Sequence, residues 1–278
     1  MTQAEKARQF RQLHHGPAAF LIPNPWDAGS ARLLAHAGFA ALATTSMGSA
    51  FSQGRDDGAL GRERTLAYAA AIVAATELPV SADLENGFGD APEAAAETIR
   101  RAAAVGLVGG SIEDATGNPA DPIYPLPQAS ERVRAAVEAA HRVPGGFVLT
   151  ARAENYLHGR ADLGDTIRRL QAYQEAGADV LYAPGLKTKE DIQTVVRAVD
   201  RPVNVLVGLA GLNLSRADLS ALGVKRLSLG SSLYRVATGA FLRAIREMTD
   251  DGTFNFAAAA ANSRDLAAIF RDAEAGRA

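Results

Sequence analysis

Two carboxylates stand two residues apart where an apolar run ends in a glycine-rich turn. Residues 78–89 read LPVSADLENGFG and contain Asp83 and Glu85. Side chains at positions i and i+2 of a β-strand share a face, so both carboxylates are expected to point the same way at the carboxyl end of a strand. Hard oxygen donors favour Mg²⁺, Mn²⁺ or Ca²⁺ over Zn²⁺. The spacing therefore predicts a site for a divalent cation.

Polar side chains follow other short apolar runs in the same way. Thr45 and Ser46 end the second run, Glu113 ends the fourth, and Arg152 and Glu154 end the fifth. Oxygen ligands at several strand ends, together with one arginine, are typical of a single assembled site.

A magnesium site needs few protein carboxylates, because the ion keeps several waters and takes other oxygens from the substrate. We predict that Asp83 is the direct ligand and that Glu85, Glu113 and Asp57 hold the waters of the ion. The alternative is that each acid is a surface residue or a helix cap, as most Asp and Glu residues are. The convergence of three strands favours the metal site.

Arg152 should lie at the mouth of the fifth strand, where a guanidinium can bind a carboxylate through two hydrogen bonds. It could instead form a salt bridge to Glu113 or Glu154 that joins the strand ends, and both roles could coexist. The small and hydroxylated residues around Thr45 and Ser46 offer backbone N–H groups, which predicts a cradle for a carboxylate or oxyanion.

Two other features carry weaker predictions. His158 follows Arg152 closely enough to act in proton transfer. Gly230, Ser231 and Ser232 follow the eighth run and open a helix, so they could bind phosphate or cap that helix, and we favour the cap. The lysines avoid the predicted strand ends, which disfavours a lysine imine.

Eight short β-rich runs alternate with helical patterns along the 278 residues. This alternation predicts a (β/α)₈ TIM-type barrel as one domain, 1–278, whose active site lies at the carboxyl ends of the strands. Residues 251–278 are predicted to form a C-terminal helical extension. The predicted strands are 20–23, 41–46, 80–85, 110–113, 148–154, 180–184, 203–207 and 226–230.

The composition excludes several classes of partner. The net charge of −2 gives no basic excess for nucleic acid or an anionic membrane, and no run has the roughly 18 to 20 apolar residues that span a bilayer. The chain has no cysteine, which removes thiolate chemistry and disulfides. A small-molecule substrate and a cytoplasmic location are the expectations.

Five segments, in this order, resemble the isocitrate lyase and phosphoenolpyruvate mutase superfamily. The resemblance implies that Asp83 ligates Mg²⁺ (or Mn²⁺), that Asp57, Glu85 and Glu113 hold its water shell, and that Arg152 and backbone amides near Thr45 and Ser46 hold a 2-oxo acid or its enolate. It also implies a homotetramer, or a dimer, with exchanged C-terminal helices. The segments are IPNPWDAGSAR at 22–32, GRDDG at 54–58, SADLENGFG at 81–89, SIED at 111–114 and ARAE at 151–154.

One departure narrows the implied activity. Isocitrate and methylisocitrate lyases carry a Lys-Lys/Arg-Cys-Gly-His loop after the acid of the fourth strand, and residues 115–125 here contain no lysine, cysteine or histidine. We therefore expect cleavage of a C–C bond or decarboxylation of a small 2-oxo acid resembling oxaloacetate or 2-oxoglutarate. The alternatives are P–C bond chemistry, of the phosphonopyruvate hydrolase or carboxyphosphonoenolpyruvate phosphonomutase type, and a 2-oxo acid binding protein without turnover.

Overall fold

The computed structural model describes residues 1–275 and contains one sheet of eight parallel strands. Neighbouring strands follow the order β1-β8-β7-β6-β5-β4-β3-β2, so the sheet curls into a nearly closed barrel. The strands are β1 Phe20–Ile22, β2 Leu42–Ala43, β3 Val80–Asp83, β4 Gly109–Glu113, β5 Val148–Arg152, β6 Val180–Tyr182, β7 Val203–Leu206 and β8 Arg226–Ser228.

Helices connect successive strands and surround the barrel, which confirms the predicted (β/α)₈ fold. Asp27, Thr45, Asp162, Thr188 and Ser215 each precede a helix and accept an N–H from its first turn. The helices are α1 Gln3–Leu13, α2 Ala28–His36, α3 Ser46–Ser52, α4 Gly61–Ala75, α5 Pro92–Ala104, α6 Leu126–His141, α7 Leu163–Glu175, α8 Lys189–Ala198, α9 Arg216–Ala221, α10 Ser232–Arg246 and α11 Ser263–Ala275.

Asn24, which follows β1, connects the carboxyl ends of β1 and β2 to that of β8. Its Nδ2 donates to the carbonyl oxygen of Thr44 at 2.9 Å, and its Oδ1 accepts the N–H groups of Leu229 and Gly230, each at 2.9 Å. The N–H of Ala43 donates to the carbonyl oxygen of Pro23 at 3.1 Å. A single buried amide therefore fixes the relative positions of the carboxyl ends of β1, β2 and β8.

The strands end earlier than the apolar runs predict. The predicted second strand, 41–46, is reduced to two residues because Thr45 caps α3 and Ser46 already belongs to that helix. The predicted fifth strand, 148–154, ends at Arg152, and the eighth, 226–230, ends at Ser228. Strand ladders stop where a side chain takes over the bonding of the backbone, which the apolar pattern does not show.

The extension after α10 contains a π-helical turn at Glu247–Asp251, a 3₁₀-helix at Asn255–Ala259 and α11. Helix α11 packs on α2, where Arg32 Nη1 lies 2.9 Å from Glu274 Oε1. Residues 276–278 of the predicted extension lie outside the described residues, and exchange of helices between subunits stays a prediction. No helix within residues 1–275 combines the length and the apolar character needed to cross a bilayer.

Candidate active site

A guanidinium at the end of β5 joins carboxylates from neighbouring strands. Arg152 Nη1 lies 2.9 Å from Asp83 Oδ1 at the end of β3 and 3.2 Å from Glu113 Oε2 at the end of β4, and Arg152 Nε donates to Glu154 Oε1 at 2.8 Å. The ring of Tyr182, at the end of β6, lies 5.2 Å from the Arg152 guanidinium carbon. The acids and the arginine that the sequence places at separate strand ends therefore meet at one point. The salt bridges predicted as the alternative role of Arg152 are present.

Burial and crowding of like charges dominate the electrostatics here. Burial raises the pKa of Glu113 well above its usual range, and it raises that of Glu154, although Arg152 opposes both shifts. The pKa of Glu85 rises to about 7, first through burial and then through the charges of Asp83 and Asp57. Burial lowers the pKa of Arg152, but its acidic neighbours outweigh that effect and raise it well above the ordinary value. Acidic side chains therefore outnumber the one guanidinium at this point.

The turn that presents Glu85 is strained and held from outside the barrel. Glu85 has φ = +50°, a left-handed conformation that costs free energy for a residue with a Cβ. Arg132 of α6 donates to the carbonyl oxygens of Asn86 and Gly89, and Arg62 of α4 donates to that of Gly87 at 3.2 Å. These two arginines hold the turn that carries the acid, and no motif in the sequence links them to it.

Thr45 and Ser46 line the same cavity as Asp83, but their contributions differ. Thr45 is buried, and its Oγ1 accepts the N–H of Gly48 at 3.2 Å, so the hydroxyl caps α3. The backbone N–H of Ser46 points at Asp83 Oδ2, 3.4 Å away. The long contact leaves this N–H, at the start of α3, available to a ligand.

Asp57 lies on the exposed segment between α3 and α4 and contributes to the lining of the same cavity. Partial burial of the carboxyl group and the charge of Asp83 raise the pKa of Asp57. Its neighbour Asp56 is exposed and does not line the cavity. The structure therefore brings Asp57, rather than Asp56, towards the other acids.

Asp114 positions Glu154 from beneath the site. Asp114 Oδ1 accepts the N–H of Glu154 at 2.8 Å, while Oδ2 accepts from Tyr173 at 2.6 Å and from Arg169 at 3.1 Å. Every partner in this network is buried, which restricts the movement of Glu154. The sequence motif that contains Asp114 does not indicate this role.

The cavity at the carboxyl ends of the strands has a volume of about 260 Å³. This is below the roughly 300–1,000 Å³ of pockets for drug-sized ligands and suits a small acid. Several further polar residues line the cavity, and no sequence motif indicates them because most lie within strands or in the first turn of a helix. These residues are Asn24, Tyr182, Asn204, Arg226, Ser228 and Arg235.

The side chains fit a hydrated magnesium ion better than a cage of protein ligands. Among residues 1–275, no group of three or more His, Cys, Asp or Glu side chains is arranged to hold a metal directly. Mg²⁺ commonly uses one or two carboxylates and keeps its waters, which matches Asp83 as the direct ligand and Glu85, Glu113 and Asp57 around it. A dication would neutralise the excess negative charge. The ligand roles of these four acids stay predictions.

Two weaker predictions have different outcomes. His158 lies at the rim of an adjoining cavity that Glu85, Glu113 and Glu154 also line, and burial lowers its pKa. Ser231 lies at the N-cap position of α10, as predicted, but its side chain makes no hydrogen bond to the first turn within the described residues. The residue instead lines the cavity.

The geometry agrees with comparisons across the whole barrel. Residues 10–249 match the family model of phosphoenolpyruvate phosphomutase. The chain belongs to this family. The resemblance inferred from the motifs to the isocitrate lyase and phosphoenolpyruvate mutase superfamily is thereby confirmed, and the protein is an enzyme of that superfamily.

Three relatives show how similar the chain is to known members. A candidate lyase/mutase from Burkholderia cenocepacia J2315 is 61% identical, with 96% of each chain covered and a TM-score of 0.94. Oxaloacetate decarboxylase from Chromohalobacter salexigens is 28% identical, covering 90% of this chain and 87% of that protein. A phosphonopyruvate hydrolase solved with oxalate and Mg²⁺ is 25% identical, covering 100% and 97%, with a TM-score of 0.85.

Proposed function

We propose that the protein is a Mg²⁺-dependent enzyme that cleaves a C–C bond in, or decarboxylates, a small 2-oxo carboxylic acid through an enolate. The observation that carries this proposal is the contact of Arg152 with Asp83 and Glu113 beside the N–H of Ser46, at the edge of a cavity of about 260 Å³. The similarity to an oxaloacetate decarboxylase and to a hydrolase that binds oxalate with Mg²⁺ supports it.

Each side chain would have a separate task. Asp83 would hold Mg²⁺, with Mn²⁺ as a substitute, and Glu85, Glu113 and Asp57 would orient its waters. Arg152 would bind the carboxylate next to the keto group, and the N–H groups around Thr45 and Ser46 would line the other side of that carboxylate. Arg152 cannot lose its proton at physiological pH, so its charge is available throughout the reaction.

The reaction needs a stabilised anion. In decarboxylation, the bond between C3, the carbon next to the keto carbon C2, and its carboxylate breaks and CO2 leaves. The electron pair of that bond forms a new C2=C3 double bond, and negative charge collects on the keto oxygen. A bound Mg²⁺ ion supplies Lewis acidity for that oxygen. Arg152 keeps the adjacent carboxylate in place, and the enolate then takes up a proton at carbon to give the product.

P–C bond chemistry is the second candidate, and the family model itself favours it. A phosphonate in the place of the scissile carboxylate would leave the same enolate. Phosphate release from phosphonopyruvate would identify this activity. Neither reaction needs the lysine, cysteine and histidine loop that residues 115–125 lack.

The decisive experiment is a panel of oxaloacetate, 2-oxoglutarate, substituted malates and phosphonopyruvate, each incubated with enzyme and Mg²⁺ and followed by NMR. We expect turnover of at least one acid, its loss in EDTA and its return with Mg²⁺ or Mn²⁺. Thermal stabilisation by an acid without any product would instead support a binding protein. Turnover that is equally fast in EDTA would contradict the proposed role of the metal.

We also propose that a second copy of this chain covers α10, as in the expected homotetramer or dimer. Of the 15 residues of this helix, only Ser232 is buried, while Val236, Phe241 and Leu242 are 70%, 65% and 47% exposed. Large apolar side chains exposed in this number along one helix are rare on a monomer. Light scattering should show an oligomer for the wild type and a smaller species for Phe241→Asp; a monomeric wild type would contradict the proposal.

A further inference from the structure

Arg226 is a buried cation without an acidic partner. The residue is 6% exposed, and it donates from Nε to Asn204 Oδ1 and from Nη1 to Thr150 Oγ1, each at 3.0 Å. No carboxylate in residues 1–275 lies within ion-pair distance of its guanidinium. Arg152 and Arg169, which are also buried in this region, have at least two acids each.

An unpaired buried charge costs free energy, so its presence needs an explanation. Burial lowers the pKa of Arg226 to about 10, and repulsion from Arg152 adds to the shift although Tyr182 opposes it. The two hydrogen bonds use one N–H of Nε and one of Nη1, whereas a guanidinium has five N–H groups. Donors therefore remain for a ligand.

Arg132 provides a comparison, because its structural contacts account for its buried charge and those of Arg226 do not. Arg132 is also buried without an acidic partner, but backbone carbonyl oxygens of the turn after β3 surround its guanidinium. Arg226 instead has two neutral side chains and lines the cavity of the active site. Its charge faces the space where a substrate would bind.

The first turn of α10 adds partial positive charge at the same side of the cavity. Gly230 and Ser231 line the cavity, and the turn lacks a side-chain cap. Ser232 Oγ is buried and forms no hydrogen bond within the described residues. The N–H groups of Gly230 and Ser232 already donate to Asn24 Oδ1 and to the carbonyl oxygen of Leu229, so the contribution of this turn is the partial positive charge at the start of a long helix, which favours an anion.

Arg235 is a second cation on the same side of the cavity, at its rim. It lies one turn into α10, lines the cavity and is exposed, and its guanidinium forms no ion pair or hydrogen bond with the residues that the structure describes. The order of the strands places β8 across the barrel from β4, which carries Glu113. Asp57 and Asp83 line this cavity together with the cations, and Glu113 lines the cavity that adjoins it, so the acids and the cations lie on opposite sides of the barrel mouth.

We propose that Arg226, Arg235 and the first turn of α10 form a second anion subsite, which binds the negative group at the far end of the substrate. This inference rests on the proposed function, in which Asp83 and Arg152 hold the 2-oxo acid end. The substrate class is then a 2-oxo acid with a carboxylate or phosphonate at its other end. A 2-oxo monocarboxylic acid would leave the subsite empty and Arg226 unpaired.

Two inert ligands separate the subsite from the metal end. Oxalate carries only the two adjacent carboxylates, whereas 3,3-difluorooxaloacetate adds the far carboxylate. Their dissociation constants would be measured by calorimetry with Mg²⁺ for the wild type, Arg235→Gln and a matched control, Arg197→Gln, which removes an exposed arginine from α8 on the outside of the barrel.

We expect Arg235→Gln to raise the dissociation constant of difluorooxaloacetate at least about fivefold, because a charged hydrogen-bond partner of the far carboxylate is lost. The dissociation constant of oxalate should change less than twofold. Arg197→Gln should change neither. An unchanged ratio of the two constants in Arg235→Gln would overturn the subsite. Failure of oxalate to bind the wild type with Mg²⁺ would instead overturn the proposed function on which it rests.

Arg226→Lys tests the deeper residue while keeping a positive charge. Lysine cannot reproduce the two-pronged guanidinium contact, so we expect difluorooxaloacetate to lose affinity about tenfold relative to oxalate. Circular dichroism would show whether Arg226→Lys is folded. If it is not, the measurements on Arg235→Gln decide between the outcomes. Phosphonopyruvate, titrated in the same way, compares a phosphonate with a carboxylate at the far end of the ligand. If the variants bound difluorooxaloacetate and phosphonopyruvate as tightly as the wild type does, the subsite would again be contradicted.

Discussion

The two sides of the barrel mouth use charge in opposite ways. On the β3 to β5 side, Asp83, Glu113 and Glu154 surround one guanidinium, and their carboxylates outnumber it. On the β8 side, Arg226 and Arg235 have no acidic partner in the described chain. Excess negative charge suits a metal ion, and excess positive charge suits an anion. The contrast indicates that a substrate bridges the two sides, with its keto end at the acids.

The largest effect is expected from removing the carboxylate that would hold the metal. Asp83→Ala should lower kcat/KM by at least about 10³-fold, because a Lewis acid contributes several kcal/mol to stabilising the developing charge. Arg152 retains Glu113 and Glu154, so the fold should persist. Steady-state kinetics and circular dichroism check both statements. Full activity of a folded Asp83→Ala protein would refute the assignment.

The next effect concerns the guanidinium that joins the strand ends. Arg152→Lys keeps the charge but loses the planar contact to a carboxylate, and we expect kcat/KM to fall about 10²-fold. Arg160→Lys, at an exposed arginine eight residues later in the chain, is the matched control and should behave like the wild type. Similar activities for both variants would mean that Arg152 serves only to join strands.

Neighbouring acids on the segment after α3 allow a sharper comparison. Asp57→Asn should lower kcat/KM about 10 to 100-fold, since a residue that orients a metal-bound water typically contributes that much. Asp56→Asn removes the same charge one residue earlier, outside the cavity lining, and should have little effect. If Asp56→Asn is the damaging change, the assignment of the segment is shifted by one residue.

The acid side could be predicted from the sequence and most of the β8 side could not, for a physical reason. Asp83, Glu113 and Arg152 each follow an apolar strand, and a parallel barrel brings such positions together. Arg226 instead begins its strand and reaches the cavity only because its long side chain extends through the barrel interior to Thr150. Strand periodicity indicates which face a residue occupies, but it does not indicate how far a side chain reaches.

The ends of the strands and the conformation of the turn after β3 also could not be predicted from the sequence. The sequence predicts that N–H groups around Thr45 and Ser46 face a ligand, but it does not show that the Thr45 hydroxyl caps α3 by accepting the N–H of Gly48. The left-handed conformation of Glu85 depends on Arg132, which is 47 residues away in the sequence and has no motif that links it to the turn. Such long-range contacts determine the precise position of the acids.

The stability of the protein should respond differently on the two sides. Arg152→Met leaves buried carboxylates without their cation, which typically costs about 3–5 kcal/mol. Arg226→Met removes an unpaired cation and leaves only two neutral partners unsatisfied, which costs about 1–3 kcal/mol. Urea denaturation should therefore show a lower midpoint for Arg152→Met. A larger loss for Arg226→Met would show that the β8 side is structural.

The smallest effect concerns His14, beneath the cationic side. Burial lowers the pKa of His14 to about 3, and the charges of Arg226, His15 and Arg11 add to the shift although the carbonyl oxygen of Phe10 opposes it. The folded protein therefore keeps this ring neutral, whereas the unfolded chain protonates it near its ordinary pKa of about 6.5. Stability is complete above that pH and falls as the pH decreases towards the folded pKa.

His14→Phe should remove this pH dependence, because phenylalanine packs against Phe10 and Phe20 but does not titrate. The free energy of unfolding of the wild type should decrease by about 1 kcal/mol relative to the variant between pH 7.5 and 5.5, since one pH unit corresponds to about 1.4 kcal/mol. His36→Phe, at an exposed histidine of α2, provides the control and should keep a constant difference. If the difference for His14→Phe is also constant with pH, then His14 is accessible to protons and its surroundings near Arg226 are hydrated. In that case Arg226 needs no anionic ligand to compensate its charge.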